Sequence, residues 1–158
     1  MKIYETLPSG IKIVDYSNKY AASLAEMWNL SADDWGGSGT LETESSVISR
    51  HETSSFIDVF IALDGETAVG YCSFKLSWYD PNSTYVDLLG VRTDYKNKKI
   101  GKALVLRCVQ RTIELGYPVL DIHTWAGNTD AVPLYKKCGF LWEERPDSTY
   151  LINFIPSI

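Results

Sequence analysis

"TYVDLLGVRTDYKNKKIGKALVLRCVQRTIELGYPVLDIHTW", residues 84–125, is the stretch whose reading decides the fold. Its first eight residues are rich in β-branched, aromatic and aliphatic side chains and read as a strand. A short polar loop follows. A helix then runs from about Ile100 to Leu115, with Leu104, Cys108 and Val109 as its buried stripe. Gly116 stands where a left-handed residue ends a helix. "VLDIHTW" (119–125) is the next strand. Strand, helix and strand in this order demand a right-handed parallel crossover.

On the N-terminal side the pattern is antiparallel. "FIDVFIAL" (56–63) and "TAVGYCSFKLSW" (67–78) flank "DGE" (64–66), a tight hairpin turn. "IKIVDY" (11–16) alternates and reads as the first strand. Residues 20–30 place Leu24, Met27 and Trp28 on one helical face, with Ser17 or Asn18 as the N-cap. "SADDWGGSG" (31–39) breaks the chain, and a second helix covers about 42–53. On the C-terminal side, "DAVPLYKKCGF" (130–140) is a helix that Asp130 can cap and Gly139 terminates. Strands near 140–145 and 149–155 close a hairpin around "RPDS". The expected order is β-α-α-β-β-β-α-β-α-β-β. This is an α/β (α+β) domain with a mixed, mostly antiparallel sheet flanked by helices.

At 158 residues the chain reads as one domain, 1–158, or as the N-terminal part of a longer protein ending at "INFIPSI". Hydrophobic residues make up 45%, which argues against disorder. No signal-peptide pattern and no membrane-length apolar run is present, so a cytoplasmic protein without a membrane partner is expected. Cys72, Cys108 and Cys138 are odd in number and lack metal-ligand spacing. Buried free thiols and no metal follow. A net charge of -5 opposes a nucleic-acid partner.

Against that acidic background, Lys96, Lys98, Lys99 and Lys102 gather within seven residues at the start of the crossover helix. Helix-start N–H groups and the helix dipole favour an anion, and the lysines add positive potential at the same point. Phosphate on a small molecule is one reading, and a solvated lysine surface is the other. There is no G-x-x-x-x-G-K-[ST] and no G-x-G-x-x-G after a strand, so a nucleotide-hydrolysing or Rossmann enzyme is not expected.

Two segments together, "LLGVRTDYKNKKIGKAL" and "NTDAVPLYKKCGF", resemble the GNAT superfamily of N-acetyltransferases. The first is similar to the family's [RQ]-x-x-G-x-[GA] motif for the pyrophosphate of CoA. The second is similar to N-x-x-A-x-x-x-Y-x-x-x-G-F, matched by Asn128, Ala131, Tyr135, Gly139 and Phe140. The resemblance implies the GNAT-like acyl-CoA N-acyltransferase fold and acetyl-CoA as co-substrate. Lys96 replaces the Arg/Gln of the motif and Lys99 its first glycine. A left-handed backbone at Lys99 would cost about 1–2 kcal/mol. Either the loop bends differently here or the extra charge offsets the strain.

Acetyl transfer to an amine needs a base and an acid for the leaving thiolate. An amine of pKa near 10 is only about one part in a thousand neutral at pH 7, roughly 4 kcal/mol uphill. By resemblance Tyr135 is the acid, and Asn128 holds the pantetheine arm or orders a water. Backbone groups near Leu89 and Val91 bind the pantetheine amides in the manner of an added strand. Lys96, Lys98, Lys99, Ile100, Gly101 and Lys102 hold the phosphates. Strict alternation puts Asp87 on the face of Leu89 and Val91. Asp87 is read as the base working through water, or else as a cross-strand salt bridge or a carboxylate that binds the acceptor without moving a proton; His123 ranks below it. His51 has no supporting context.

Asp33, Asp34, Trp35 and Trp78, with Tyr79 and Asp80, are candidates for an acceptor pocket. Acids beside aromatic rings suit a cationic amine. The expected activity is direct transfer from acetyl-CoA to a primary amine, small molecule or peptide, in a ternary complex. A homodimer is compatible with the sequence. A non-catalytic acyl-CoA-binding or regulatory interaction domain is the alternative.

Overall fold

The computed structural model describes residues 2–31, 41–78, 80–125, 131–144 and 149–154, with side chains described over 2–31, 41–78, 80–122 and 133–140. Along the chain run β1 (Ile3–Thr6), β2 (Lys12–Asp15), α1 (Ala21–Leu30), α2 (Glu44–Thr53), β3 (Asp58–Asp64), β4 (Thr67–Leu76) and β5 (Ser83–Val91). Then come α3 (Ile100–Leu115), β6 (Val119–Trp125), α4 (Ala131–Lys137), β7 (Leu141–Glu144) and β8 (Thr149–Phe154). One sheet contains all eight strands in the order β1-β2-β3-β4-β5-β6-β8-β7. Among the described residues only β5 and β6 pair in parallel, across α3. The mixed, mostly antiparallel sheet is the one the sequence predicts.

Two features go beyond that expectation. A strand, β1, precedes the one expected first and pairs with β2 around "LPSG". Gly10 takes φ 88° there, and the Leu7 N–H bonds the Ile11 carbonyl at 2.8 Å. At the other edge β8 enters between β6 and β7, so the closing hairpin docks by its second strand. The helices lie close to their expected bounds. A 3-10 turn (Asn18–Tyr20) leads into α1, and Ser17 precedes it without a side-chain cap bond.

Strand alternation divides the core into two. Phe60, Ala62, Cys72, Phe74, Leu120 and Ile122 pack on one face of the sheet with Ile100, Leu104 and Cys108 of α3. Ile61, Leu63, Ala68 and Tyr71 pack on the other with Leu24, Met27 and Trp28 of α1 and Val47 of α2. α3 lies very close to β4. A Cβ on Gly70 would sit 2.8 Å from Ile100 Cγ2 and 3.0 Å from Leu104 Cδ1. The bare glycine lets the first turn of α3 press onto the sheet.

All three cysteines are free and buried, as expected. Among the described residues no helix is long and apolar enough to cross a membrane. Nor, among them, does any cluster of three or more His, Cys, Asp or Glu side chains form a metal site.

Candidate active site

β5 and β6 begin side by side and then part. Their pairing runs from Ser83 with Val119 to Val86 with Ile122. β5 nevertheless continues to Val91 and β6 to Trp125, where β6 keeps its bonds to β8. Among the described residues, the edge of β5 facing away from β4 therefore has no strand partner over 87–91. A gap between parallel strands presents main-chain donors and acceptors to an extended ligand, as an open sheet edge does.

A bulge accompanies the parting. Ser73 is opposite Leu88, and Phe74 is opposite Val86, so Asp87 is the extra residue of β5. Two consecutive side chains then share a face. Val86, Leu89 and Val91 all pack on the α3 side, whereas Leu88 packs on the α1 side. Asp87 is exposed and ion-paired at 3.1 Å with Lys75, the residue two beyond Ser73 on β4. Alternation alone would put Asp87 with Leu89 and Val91. The bulge moves it to the side of Lys75 and Ser73 instead.

The open edge leads to the lysine loop. After Val91 the chain turns through Thr93–Tyr95, and Asn97 and Lys99 adopt φ of 66° and 65°. Lys99 is thus left-handed, with ψ 17°, at the start of α3 and without a side-chain cap bond. The loop keeps the bend that a glycine would give and bears the strain. The first helical bond runs from the Ala103 N–H to the Lys99 carbonyl at 3.1 Å, which leaves the N–H groups of Ile100, Gly101 and Lys102 at the open helix end. Lys96, Lys98, Lys99 and Lys102 are exposed around it. Ile100 is buried, so only its backbone is available to a ligand. Gly101 has no side chain between α3 and α4, where a Cβ would meet Leu134 Cδ2 at 3.2 Å.

Sequence reasoning missed the device that anchors this loop. The Tyr95 hydroxyl donates to Asp64 of the β3–β4 hairpin at 2.5 Å. The Tyr95 ring lies 5.7 Å from the Arg92 guanidinium and 5.9 Å from Lys98 Nζ. The hairpin turn and the lysines are thereby tied together.

Tyr135 of α4 closes the α3 side. Its ring packs 6.1 Å from that of Phe140 in the core that contains Cys72, Leu89 and Val91. Burial pushes its phenol well above the usual range, and the neighbouring Cys72 and Cys138 add to the shift. The hydroxyl therefore carries its proton near neutral pH, and it has no hydrogen-bond partner among the described residues. Cys138 is buried in the same core, and burial raises its thiol above the usual range.

Leu89, Val91, Ile100 and Tyr135 thus share one core at the opening, with Gly101 in the first turn of α3 beside it and the four lysines at its rim. Trp78 is exposed in the loop entering β5. That is the end of the strand remote from the lysines, about 25 Å away at the usual rise per residue. His123 lies on β6 at the point where β5 has departed. Asp33, Asp34, Trp35, Tyr79 and Asn128 lie outside the described residues.

The sequence pattern of the family described as "Acetyltransferase (GNAT) family" matches residues 24–140. N-alpha-acetyltransferase 30 of Xenopus laevis is 30% identical over 94 residues, 58% of this chain and 34% of that protein. The chain spans about a third of that curated relative's length. Solved structures resemble it over nearly the whole chain. The PaiA N-acetyltransferase of Thermoplasma acidophilum, in complex with coenzyme A, superposes with a TM-score of 0.73 at 19% identity, covering 92% of this chain and 99% of that one. YncA of Salmonella typhimurium, a putative acetyltransferase with acetyl-CoA, gives 0.74 at 13% identity, covering 92% and 93%. The ribosomal-protein-S18-alanine N-acetyltransferase of Escherichia coli gives 0.70 at 13% identity, covering 94% and 95%.

Proposed function

The chain belongs to the acetyltransferase (GNAT) family, and we propose that it moves an acetyl group from acetyl-CoA to a primary amine by direct transfer in a ternary complex. The observation that carries this reading is the continuous path of the open β5 edge, the protonated Tyr135 phenol and the lysine-ringed start of α3.

Each part of the path fits one part of acetyl-CoA. The backbone edge around Leu89 and Val91 offers bonds to the pantetheine amides, and Asn128 is read as a further contact to that arm. The N–H groups of Ile100, Gly101 and Lys102, with Lys96, Lys98, Lys99 and Lys102, offer charge to the phosphates. Acetyl-CoA supplies an acetyl thioester. Asp87 takes a proton from the acceptor ammonium through water, the free amine forms the new N–C bond as the C–S bond breaks, and the nitrogen sheds its second proton to water. Tyr135 Oη gives its proton to the departing sulfur and regains one from solvent. Asp33, Asp34, Trp35 and Trp78 are the candidate contacts for the acceptor.

The test is calorimetric titration with acetyl-CoA at two salt concentrations, followed by a thiol-release assay over a panel of amines. The names of two relatives bring peptides with a free α-amine into that panel beside small polyamines and amino acids. Salt-weakened binding together with amine-dependent thiol release is the expected result. Binding without turnover of any amine would favour the non-catalytic alternative, and an isolable acetyl-enzyme would overturn direct transfer.

A further inference from the structure

Ser73 is a fully buried serine in the middle of the sheet, between Cys72 and Phe74 of β4. A buried hydroxyl costs free energy unless it is hydrogen-bonded, and an alanine would avoid that cost. The Ser73 oxygen accepts the Leu88 N–H at 3.1 Å. Leu88 stands opposite Ser73 and directly follows Asp87, the extra residue of the bulge. Two residues further along the same face of β4, Lys75 holds the Asp87 carboxylate at 3.1 Å. Side chains of β4 thus grip both residues of the bulge, one by its amide and the other by its carboxylate.

Successive peptide groups of a strand point alternately to its two edges. The Leu88 N–H points at β4. Four residues on, the Arg92 N–H points there too and bonds the Val69 carbonyl at 2.9 Å. Between them, the N–H and C=O groups of Leu89 and Val91 therefore face the opposite edge, which has no strand partner among the described residues. The bulge decides this phase. Before it, Phe74 is opposite Val86; after it, Ser73 is opposite Leu88. Continued without the extra residue, the register of Phe74 with Val86 would turn Leu89 and Val91 toward β4, and Leu88 and Gly90 would face the gap instead.

We propose that Ser73 is a positioning residue for acyl-CoA binding: its hydroxyl holds the Leu88 amide at the bulge and so keeps the peptide groups of Leu89 and Val91 aimed at the open edge. This role rests on the functional reading given above, in which those groups bond the pantetheine amides. Ser73 acts through Leu88, and Lys75 supports it from the Asp87 side.

The experiment compares the full chain with Ser73→Ala, Ser73→Thr and Ser73→Val. Threonine keeps the hydroxyl, and valine has nearly the same shape without it. Alanine removes the oxygen and adds no volume, so it decides the matter where a branched side chain does not fit. Amide exchange is measured on the protein alone at Leu88 and, as a reference, at Phe60 of β3. A loss of global stability speeds both amides, whereas a loosened bulge speeds Leu88 alone. Acetyl-CoA affinity is measured by calorimetry.

Relative to Phe60, the Leu88 amide should exchange at least about 10-fold faster in Ser73→Ala and Ser73→Val, with acetyl-CoA binding about 5–10-fold weaker. Ser73→Thr should stay within about 2-fold of wild type in both. In the thiol-release assay the loss should appear in KM for acetyl-CoA and not in kcat. An unchanged ratio of Leu88 to Phe60 exchange in Ser73→Ala overturns the proposal, as does a threonine variant that gains nothing over valine. If wild type binds acetyl-CoA and Ser73→Ala binds it equally, the positioning role falls and the functional reading stands. If wild type binds no acetyl-CoA, the functional reading falls first and takes the positioning role with it.

Discussion

The Cβ that Gly70 lacks would stand 2.8 Å from Cγ2 of Ile100, closer than side chains pack, and 3.1 Å from the Cβ of Ala62 on the adjacent strand. The position of the α3 N-terminus above β4 is therefore set by a missing methyl group. Gly70→Ala forces Ile100 and Leu104 outward, an overpacking that costs typically 1–3 kcal/mol. A chain of this size loses roughly 2–4 °C of melting temperature per kcal/mol. Because the displaced turn carries the proposed phosphate site, acetyl-CoA affinity should fall with it. A variant with wild-type melting temperature and affinity would show that α3 has room to spare.

Tyr135 separates activity from stability. Its ring lies in the apolar core and its hydroxyl has no hydrogen-bond partner among the described residues, so removing the oxygen breaks no bond there. Tyr135→Phe should melt no lower than wild type and bind acetyl-CoA unchanged. Turnover should drop by about 10²–10⁴-fold if the phenol is the acid. Equal turnover would assign the leaving-group proton to another donor.

Lys99 combines charge with strain, and two substitutions part them. Its φ of 65° costs a non-glycine residue about 1–2 kcal/mol. Lys99→Gly should relieve that cost and stabilise the fold by about 1 kcal/mol. Lys99→Gln keeps the strained backbone and loses only the charge. Both should weaken acetyl-CoA binding and flatten its salt dependence to a similar degree. Denaturant melts and calorimetry on the pair check this. A glycine variant that binds as tightly as wild type would mean that the lysine charge is simply solvated.

Local patterns made much of this molecule legible. The crossover 84–125, the left-handed Gly116 and the α3 stripe depend on residues close together in sequence. β1 was harder to read, because a four-residue edge strand with three exposed side chains has little alternation to detect. The side taken by Asp87 is set by a bulge against Ser73 and Phe74, more than ten residues away. His51 gave no signal at all. Tyr16, Trp28, Phe56 and Tyr71 converge on it from separate elements, and only the folded chain shows it engaged at both nitrogens.

That engagement has a thermodynamic counterpart. His51 is held below the ordinary imidazole pKa of about 6.5, first by burial. A group depressed in the folded state binds fewer protons there than in the unfolded chain. Between its folded pKa and about 6.5 the unfolded state therefore takes up the extra proton, and stability must rise with pH across that window. The contribution of neutral His51 is complete above about pH 6.5 and is lost as pH falls toward the folded value. His51→Gln has no such proton to exchange. The unfolding free energy of wild type minus that of His51→Gln, measured by denaturant melts, should be constant from pH 7 to 8 and shrink progressively below about pH 6.5. A difference that grows on acidification would mean that the fold favours charged His51, and one that stays flat would mean that burial does not shift its titration.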